Sequence, residues 1–544
     1  MSKNISTLSG RQGLENNLFD RISERPNKAA LAELAEEFLI GKANTFGAVS
    51  FYDFLKPENQ GKEVYVCNGT ACMCANTQND LQKKLEKHIS ADKIGHMTCL
   101  GRCHENAAFQ YNGHNHSALS DDEMANLFDK KTLVKSDDYI VQHLGNPVLT
   151  KEYDTAALFS LLQKMLTQSP DDILGQIISS NIRGRGGAGF PMGIKLEACK
   201  KANGTHKFIV CNADEGDPGA YTDRYLMEKQ PLLVLLGMMA AGFVCGAEWG
   251  ILYIRGEYPE SITIIEKAIA ELEAANYLGD NILDSGFNFK FKIIRAQGAY
   301  ICGEETALLS SIEGQRPEVR VRPPYPVHEG LFRMPTVVNN VETLAAIPYI
   351  LENGGESYKA LGTNKSSGTK LLSLDSFFNN PGVYEVEMGT SLRTVVDELG
   401  GGFKSDIKAL HIGGPLGGMV PMDKIDDLTI DFESFSENGF LLGHASIVCI
   451  PKDFPMVKYI EHLFEFTADE SCGKCFPCRL GSVRGQEMFA KAQASDYKID
   501  KQLLDDLLEA LEKGSLCALG GGVPLPIKNA LTYFGEELEG YFEK

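Results

Sequence analysis

The sequence has too little positive charge to suit a nucleic-acid partner: 53 lysines and arginines stand against 73 acids, a formal net charge of −20. So acidic a surface repels a phosphate backbone. The opening Met-Ser-Lys-Asn-Ile-Ser lacks the apolar segment of a secretory signal, so a cytoplasmic location is expected. A run of about 20 apolar residues, the length a membrane helix needs, is also missing. The uncharged stretch from Pro231 to Ala247 stops short of it, with Glu228 and Lys229 before it and Glu248 after it. Its glycines and small residues suit a helix buried against a sheet, and no direct membrane insertion is expected. No repeat of fixed period and no low-complexity tail is present.

Cysteine, by contrast, is plentiful, with 14 in the chain. In a reducing compartment such thiols serve metals better than disulfides. Cys472-Gly-Lys-Cys475-Phe-Pro-Cys478 presents three soft ligands around one corner of a cluster, and Cys517 supplies a fourth. That pattern suits a [4Fe–4S] cubane. Zinc is the rival, though structural zinc sites usually take two separated pairs. A second set lies near the N-terminus, Cys67 with Cys72 and Cys99 with Cys103. Gly69 and Gly101 let the backbone turn closely around an inorganic core. Two pairs, one per iron, suit a [2Fe–2S] rhomb, with a zinc site or a redox disulfide as alternatives. Cys74 reads as a bystander.

A chain of 544 residues has room for roughly three to five domains. Residues 1 to about 55 read as helices. The next segment, strand Val64–Val66, a helix over Gln78–Ile89 and a hairpin turning at Asn112-Gly113, reads as a small α/β domain with its cysteine loops at one end. Together these give a first unit over 1–135. Residues 136–170, with polar stretches such as TQSPDD, read as a linker. From 171 to 350 strands and helices alternate: 208–211, 250–254 and 289–294 as strands, Glu260–Ala275 as a helix. That order predicts a largely parallel, doubly wound sheet. Residues 351–452 read as a small α+β unit containing Val383–Val386 and the turn 413–418, and 453–544 as a helical unit carrying the four-cysteine site.

Asn181-Ile-Arg-Gly-Arg-Gly-Gly-Ala-Gly-Phe190 precedes a predicted helix from Met192. Glycine-rich backbone and a helix N-terminus donate N–H groups to phosphate, and Arg185 and Lys195 add charge. A mere flexible turn is the alternative, because the run is not a strict G-x-G-x-x-G. Strand 208–211 leads into Asn212, Asp214, Glu215 and Asp217, at the strand end where open α/β sheets bind ligands. Tyr300, Gly303, Glu304 and Glu305 follow another strand. The rings of Phe190, Tyr300 and Tyr325 suit stacking on a flat heterocycle.

The runs RGRGGAGFPMGIK (183–195), CNADEGDPG (211–219), GAYICGEETAL (298–308), VNNVET (338–343) and ESCGKCFPCR (470–479) closely resemble the flavin- and NADH-binding subunit of respiratory complex I. The N-terminal 135 residues resemble that enzyme's separate thioredoxin-like [2Fe–2S] subunit. Their fusion resembles the diaphorase subunit of soluble NAD-reducing hydrogenases and the beta subunit of NAD-dependent formate dehydrogenases. The resemblance implies an α/β multidomain fold: N-terminal helices with a thioredoxin-like domain, a Rossmann-like FMN/NADH domain, a ubiquitin-like small domain and a C-terminal helical bundle with [4Fe–4S]. It also implies FMN cradled by Gly184, Arg185, Gly186 and Lys195, with Asn212, Asp214, Gly303, Glu304, Asn339, Asn340 and Thr343 completing the pocket. NADH would stack among Phe190, Glu215, Asp217, Tyr300, Glu305 and Tyr325. Two positions depart from the family pattern, which commonly has glutamate at Asp217 and an aromatic at Ala198.

Physically the set is coherent. NADH gives two electrons as a hydride and iron–sulfur clusters take one at a time, so a flavin must stand between them. Catalysis is then mostly positioning, with no side-chain nucleophile or general base. The expected function is an NADH-linked diaphorase subunit that partners a small ferredoxin-like iron–sulfur subunit and a hydrogenase or formate dehydrogenase module. The alternatives are the NADH-input subunit of a respiratory complex I and, in another class, a non-redox zinc-binding scaffold.

Overall fold

The computed structural model describes residues 14, 18–22, 28–38, 40–56, 58–129 and 137–543. Parts of the expected N-terminal helices, residues 130–135 and residue 136, the first of the expected linker, lie outside that set.

The first sheet joins β1 (Val64–Cys67), β2 (Ile94–Met97), β3 (Ala108–Tyr111) and β4 (His114–Ser117) in the order β2-β1-β3-β4. β1 and β2 run parallel, and β3 and β4 form a hairpin. Asn112 and Gly113 turn that hairpin with φ of 50° and 71°, as their residue types predict. Both cysteine loops leave the same end of this sheet, after β1 and after β2.

The stretch 136–170 is not a plain linker. It holds β5 (Ile140–Leu144), a helix at Thr155–Leu166 and the start of another at Pro170–Ser179. Asp154 and Ser169 cap the two helices by accepting from Ala157 N and Asp172 N. TQSPDD is therefore a helix start: Ser169 caps, Pro170 enters at the first turn, and two acids face the positive end of the helix dipole.

The central sheet is wholly parallel, as expected. β6 (Phe208–Ala213), β7 (Trp249–Ile254), β8 (Lys290–Arg295) and β9 (Thr336–Asn340) lie in the order β8-β7-β6-β9. The order reverses around β6, which puts a topological switch point at the end of β6. The small domain's mixed sheet adds β10 (Thr369–Leu374), β11 (Gly382–Glu387), β12 (Ile407–Ile412), β13 (Gly418–Pro421) and β14 (Ser446–Pro451). Its order is β13-β12-β14-β10-β11-β5, so β5 reaches across the sequence to pair in parallel with β11.

The uncharged run forms helix α1 (Pro231–Cys245), buried along nearly all its length and ended by Gly246 in the left-handed region. Among the described residues no single helix is long and apolar enough to cross a membrane. C-terminally, α2 (Met456–Asp469), α3 (Phe476–Ala494) and α4 (Lys501–Gly514) form the helical unit, whose apolar core also takes in Cys472, Cys475 and Cys478.

Small residues let α1 lie close to its neighbours. A Cβ added at Gly237 would stand 1.9 Å from the Leu344 carbonyl oxygen, a backbone atom that cannot swing aside. Gly237→Ala should therefore lower the melting temperature, costing about 1–3 kcal/mol through overpacking despite a gain of about 1 kcal/mol in helix propensity. Thermal denaturation decides it: a variant as stable as wild type would contradict this close approach.

Candidate functional site

The glycine-rich loop folds back on itself, Gly184 N donating to Phe190 O at 2.9 Å. Gly187 and Gly189 have φ of 113° and 59°, backbone that side-chain-bearing residues rarely adopt. Arg185 anchors the loop: its N–H donates to Thr343 Oγ1 at 2.8 Å, and its guanidinium, 1% exposed, donates to Tyr358 Oη at 3.1 Å and to the Ser367 carbonyl. Asn212 Nδ2 donates to Gly303 O at 2.8 Å and Asn340 Nδ2 to Asp223 Oδ2 at 2.6 Å. Thr343, Asn212 and Asn340 thus bind the pocket's loops to one another.

Other side chains are left short of partners. Arg185 Nε and Nη1, Asp214 Oδ2 and Asn339 Nδ2 are buried with no hydrogen-bond partner, and Glu304 Oε1 has only Arg322 Nη2 at 3.6 Å. Buried polar atoms are rarely orphaned, so a set around one cradle fits a polar ligand. A Cβ at Gly184 or Gly303 would meet nothing closer than 3.6 Å, leaving room beside the backbone. Burial pushes the Asp214 carboxyl well above its ordinary range. These residues fit FMN.

The side chains expected around NADH divide into two groups. Phe190 and Tyr325 are 47% and 53% exposed, and Lys195 Nζ lies 6.0 Å from the centroid of the Phe190 ring. Glu305 is held between two cations, Lys195 Nζ at 3.2 Å and Arg322 Nη1 at 2.8 Å. Tyr300 Oη donates to Asp217 Oδ1 at 2.7 Å, and the turn at Gly414 presses against that same carboxylate. Glu215 is different. Its carboxylate is turned inward, accepting from Asp223 N at 2.9 Å, Arg224 N at 3.1 Å, Thr222 Oγ1 at 3.2 Å and Tyr258 Oη at 3.2 Å. With those donors it caps the helix Thr222–Lys229.

His444, from the small domain, completes this buried group. Its Nε2 lies 3.6 Å from Glu215 Oε1 and 3.5 Å from Asp223 Oδ2. Burial would push the imidazole down, but Asp223, and Glu215 beside it, hold it up at about 9 despite nearby Lys370. Burial and the neighbouring Asp223 raise Glu215 to about 7.

Both cysteine sets are assembled. Cys67, Cys72, Cys99 and Cys103 are buried, with the Cys99 and Cys103 sulfurs 3.6 Å apart. The Cys103 thiol and the Arg255 guanidinium draw Cys99 down to about 6 against its burial. In the C-terminal set, Leu516 N donates to Cys475 Sγ and Ser471 Oγ lies against Cys478 Sγ, both at 3.3 Å. Cys517 is half-buried. Backbone and hydroxyl donors aimed at sulfur suit thiolates that carry a cluster. Cys74 stands apart, at the end of a short helix packed on β14, where Asp375 is among its neighbours.

Sequence reasoning did not single out Arg255, Arg322 or His444. Arg255 was the most findable, because it immediately follows β7 at the same sheet edge as Asn212 and Asp214. His444 had no local signal, since only the fold brings its loop to Glu215.

Comparison with known proteins agrees with this geometry. The family model for the Nuo51 FMN-binding domain matches residues 177–349, that for the NADH-ubiquinone oxidoreductase-F iron-sulfur binding region 458–541, and that for the thioredoxin-like [2Fe-2S] ferredoxin 24–132. An NADH-quinone oxidoreductase subunit of Rhizobium meliloti is 40% identical over 73% of this chain and 95% of its own length. The chain belongs to the family of FMN-binding, iron–sulfur NADH oxidoreductase subunits. Within it, the NAD-reducing hydrogenase HoxS subunit alpha of Cupriavidus necator is 33% identical over 93% of this chain and 88% of its own length, so it matches the fused form. A crystal structure of an NAD+-reducing [NiFe]-hydrogenase in the H2-reduced state superposes with a TM-score of 0.85 at 28% identity, covering 98% of this chain and 92% of that one. The NADP-reducing hydrogenase subunit HndC of Solidesulfovibrio fructosivorans is 39% identical over 73% of this chain and 81% of its own length. The chain is a flavin iron–sulfur oxidoreductase of the NADH dehydrogenase type, with FMN, [2Fe–2S] and [4Fe–4S] as its cofactors and NADH as the family's substrate.

His444 and Glu215 make stability depend on pH. The folded-state value of His444, about 9, is above its ordinary 6.5, so its contribution is full below pH 6.5 and is lost as pH rises through 9. Glu215, raised from 4.5 to about 7, acts in the same direction lower down, and its contribution is lost as pH rises through 7. Melting temperature should fall between pH 7 and 9, and His444→Gln should flatten that fall. Equal slopes in the two proteins would mean that His444 is neutral in the fold.

Proposed function

We propose that this chain is the NADH-linked electron-input subunit of a cytoplasmic hydrogenase or formate dehydrogenase complex. The observation that carries the reading is the cradle of unpartnered buried polar atoms at the switch point, in a chain that also assembles two four-cysteine sets. FMN, when bound, converts a hydride into single electrons. The chain's own work is to bind and orient. Arg185, Lys195 and the glycine loop hold the phosphate end, Asp214, Glu304 and Asn339 take polar groups of the flavin, and Phe190 and Tyr325 receive the nucleotide's rings. Gly186, Gly303, Asn212, Asn340 and Thr343 shape that pocket, while Asp217 and Tyr300 close one wall. Cys67, Cys72, Cys99 and Cys103 are the proposed [2Fe–2S] ligands, and Cys472, Cys475, Cys478 and Cys517 the [4Fe–4S] ligands. The proposed units are 1–135, 171–350, 351–452 and 453–544, with β5 belonging to the third.

A partner is supported by exposed apolar side chains beside the four-cysteine site. Phe476, Leu480 and Val483 follow one another at helical spacing along α3, and exposed Leu516 adjoins Cys517. A small iron–sulfur subunit docked there would bring its own centre near this one.

Anaerobically purified protein should carry about six irons and one FMN per chain. Cys475→Ser should abolish the [4Fe–4S] signal and spare the [2Fe–2S] spectrum. A colourless protein with stoichiometric zinc would instead support the scaffold reading.

Nucleotide choice turns on Glu305. It can accept hydrogen bonds from the adenosine ribose, and it neutralises Lys195 and Arg322, which would otherwise attract a ribose phosphate. Wild type should prefer NADH. Glu305→Gln should raise the NADPH-to-NADH ratio of kcat/KM by about tenfold or more, equivalent to about 1.4 kcal/mol. Steady-state dye reduction measures this, and an unchanged ratio would remove Glu305 from selectivity.

A further inference from the structure

Arg255 stands where two sites meet. Its guanidinium is 3% exposed and donates in three directions. Nη1 reaches the Glu215 carbonyl at 2.6 Å, in the loop 211–219 that lines the flavin and nucleotide pocket. Nη2 reaches the carbonyls of Thr98 and Cys99 at 3.1 and 2.9 Å, in the second cysteine loop. Nη2 also meets Glu257 Oε1 at 3.0 Å, in a carboxylate that is itself 3% exposed. The planar fork of arginine makes this possible, as a lysine has one nitrogen to offer.

We propose that Arg255 is a positioning residue that holds the Cys99 limb of the [2Fe–2S] loop against the pocket loop and raises the reduction potential of the centre formed there. The inference rests on the assignment of Cys99 as a [2Fe–2S] ligand. A reduced cluster carries one more negative charge than an oxidised one. A cation buried beside it favours the reduced form, with little screening by solvent. Glu257 opposes that effect, because its carboxylate is buried next to the same guanidinium. The two residues therefore act on the potential with opposite signs.

The test is a redox titration of the holoenzyme, following the [2Fe–2S] signal by electron paramagnetic resonance. The [4Fe–4S] signal and the FMN content serve as controls for folding. At the wild-type midpoint, Arg255→Met should lower the ratio of reduced to oxidised [2Fe–2S] about three- to tenfold, tenfold being 59 mV for a one-electron couple. Arg255→Lys should restore most of it, and Glu257→Gln should shift the ratio the other way. Loosening of the fold alone does not produce opposite signs. No shift, or shifts of the same sign in Arg255→Met and Glu257→Gln, overturns the proposal. Should Arg255→Met lose the centre while keeping the other controls, Arg255→Lys and Glu257→Gln decide by the same criterion. A wild type with no [2Fe–2S] signal refutes the ligand assignment beneath it.

Discussion

The structure depends on how it neutralises the charge buried at the end of β6. Asp214, Glu215, Asp217 and Asp223 lie within ten residues of sequence, and three of them are among the buried set. Unpaired, such charges cost several kcal/mol each, roughly. Each surrounding segment therefore supplies donors or counter-charge. The helix Thr222–Lys229 gives its first N–H groups to Glu215, the small domain gives His444, and Arg255, just after β7, donates to the Glu215 carbonyl. Arg224 pairs with Asp137, which also takes His104 at 2.9 Å and Arg102 at 2.5 Å from the thioredoxin-like domain. The floor of the pocket is thus an electrostatic joint between domains.

That joint reaches both cysteine sets. On one side Arg255 ties the pocket loop to the backbone at Cys99. On the other, Tyr300 donates its hydroxyl to Asp217 and its N–H to Glu470 Oε2 at 2.8 Å, two residues before Cys472. Thr70, in the first cysteine loop, lies 3.0 Å from His462 Nε2 of α2, so the two cysteine-bearing domains also touch directly. Positioning of this kind is how such a site contributes to catalysis, since hydride and electron transfer both reward fixed separation and orientation. Partial exposure of Cys517 and the apolar stripe on α3 leave one end of the arrangement open to a partner.

Much of this was legible in the sequence because the signals were local. Cysteine spacing marked both metal sets, the alternation of strand and helix marked the parallel sheet, and polar residues after strands marked the pocket. What stayed hidden was non-local. Glu215 looks like its acidic neighbours in the sequence, and only the helix start seven residues later turns it inward. Glu305 reads as a free carboxylate until folding brings Lys195 and Arg322 to it. The polar stretch 136–170 looked like a linker because β5 is exposed along most of its length, so its residues carry no buried-strand pattern. TQSPDD was misread for another reason, as capping residues and turn residues are the same few types.

The pairing of β5 with β11 has a consequence for synthesis. Ile140 emerges from the ribosome more than two hundred residues before Gly382, its partner in the register. Until then β5 is a loose end, and the sheet it completes does not exist. Closing so long a loop is slow, so the thioredoxin-like domain and the flavin domain can form while the small domain waits for the rest of the chain. The small domain is thus discontinuous in sequence. A fragment cut to begin at the flavin domain would bare the edge of β11 and invite strands from other molecules.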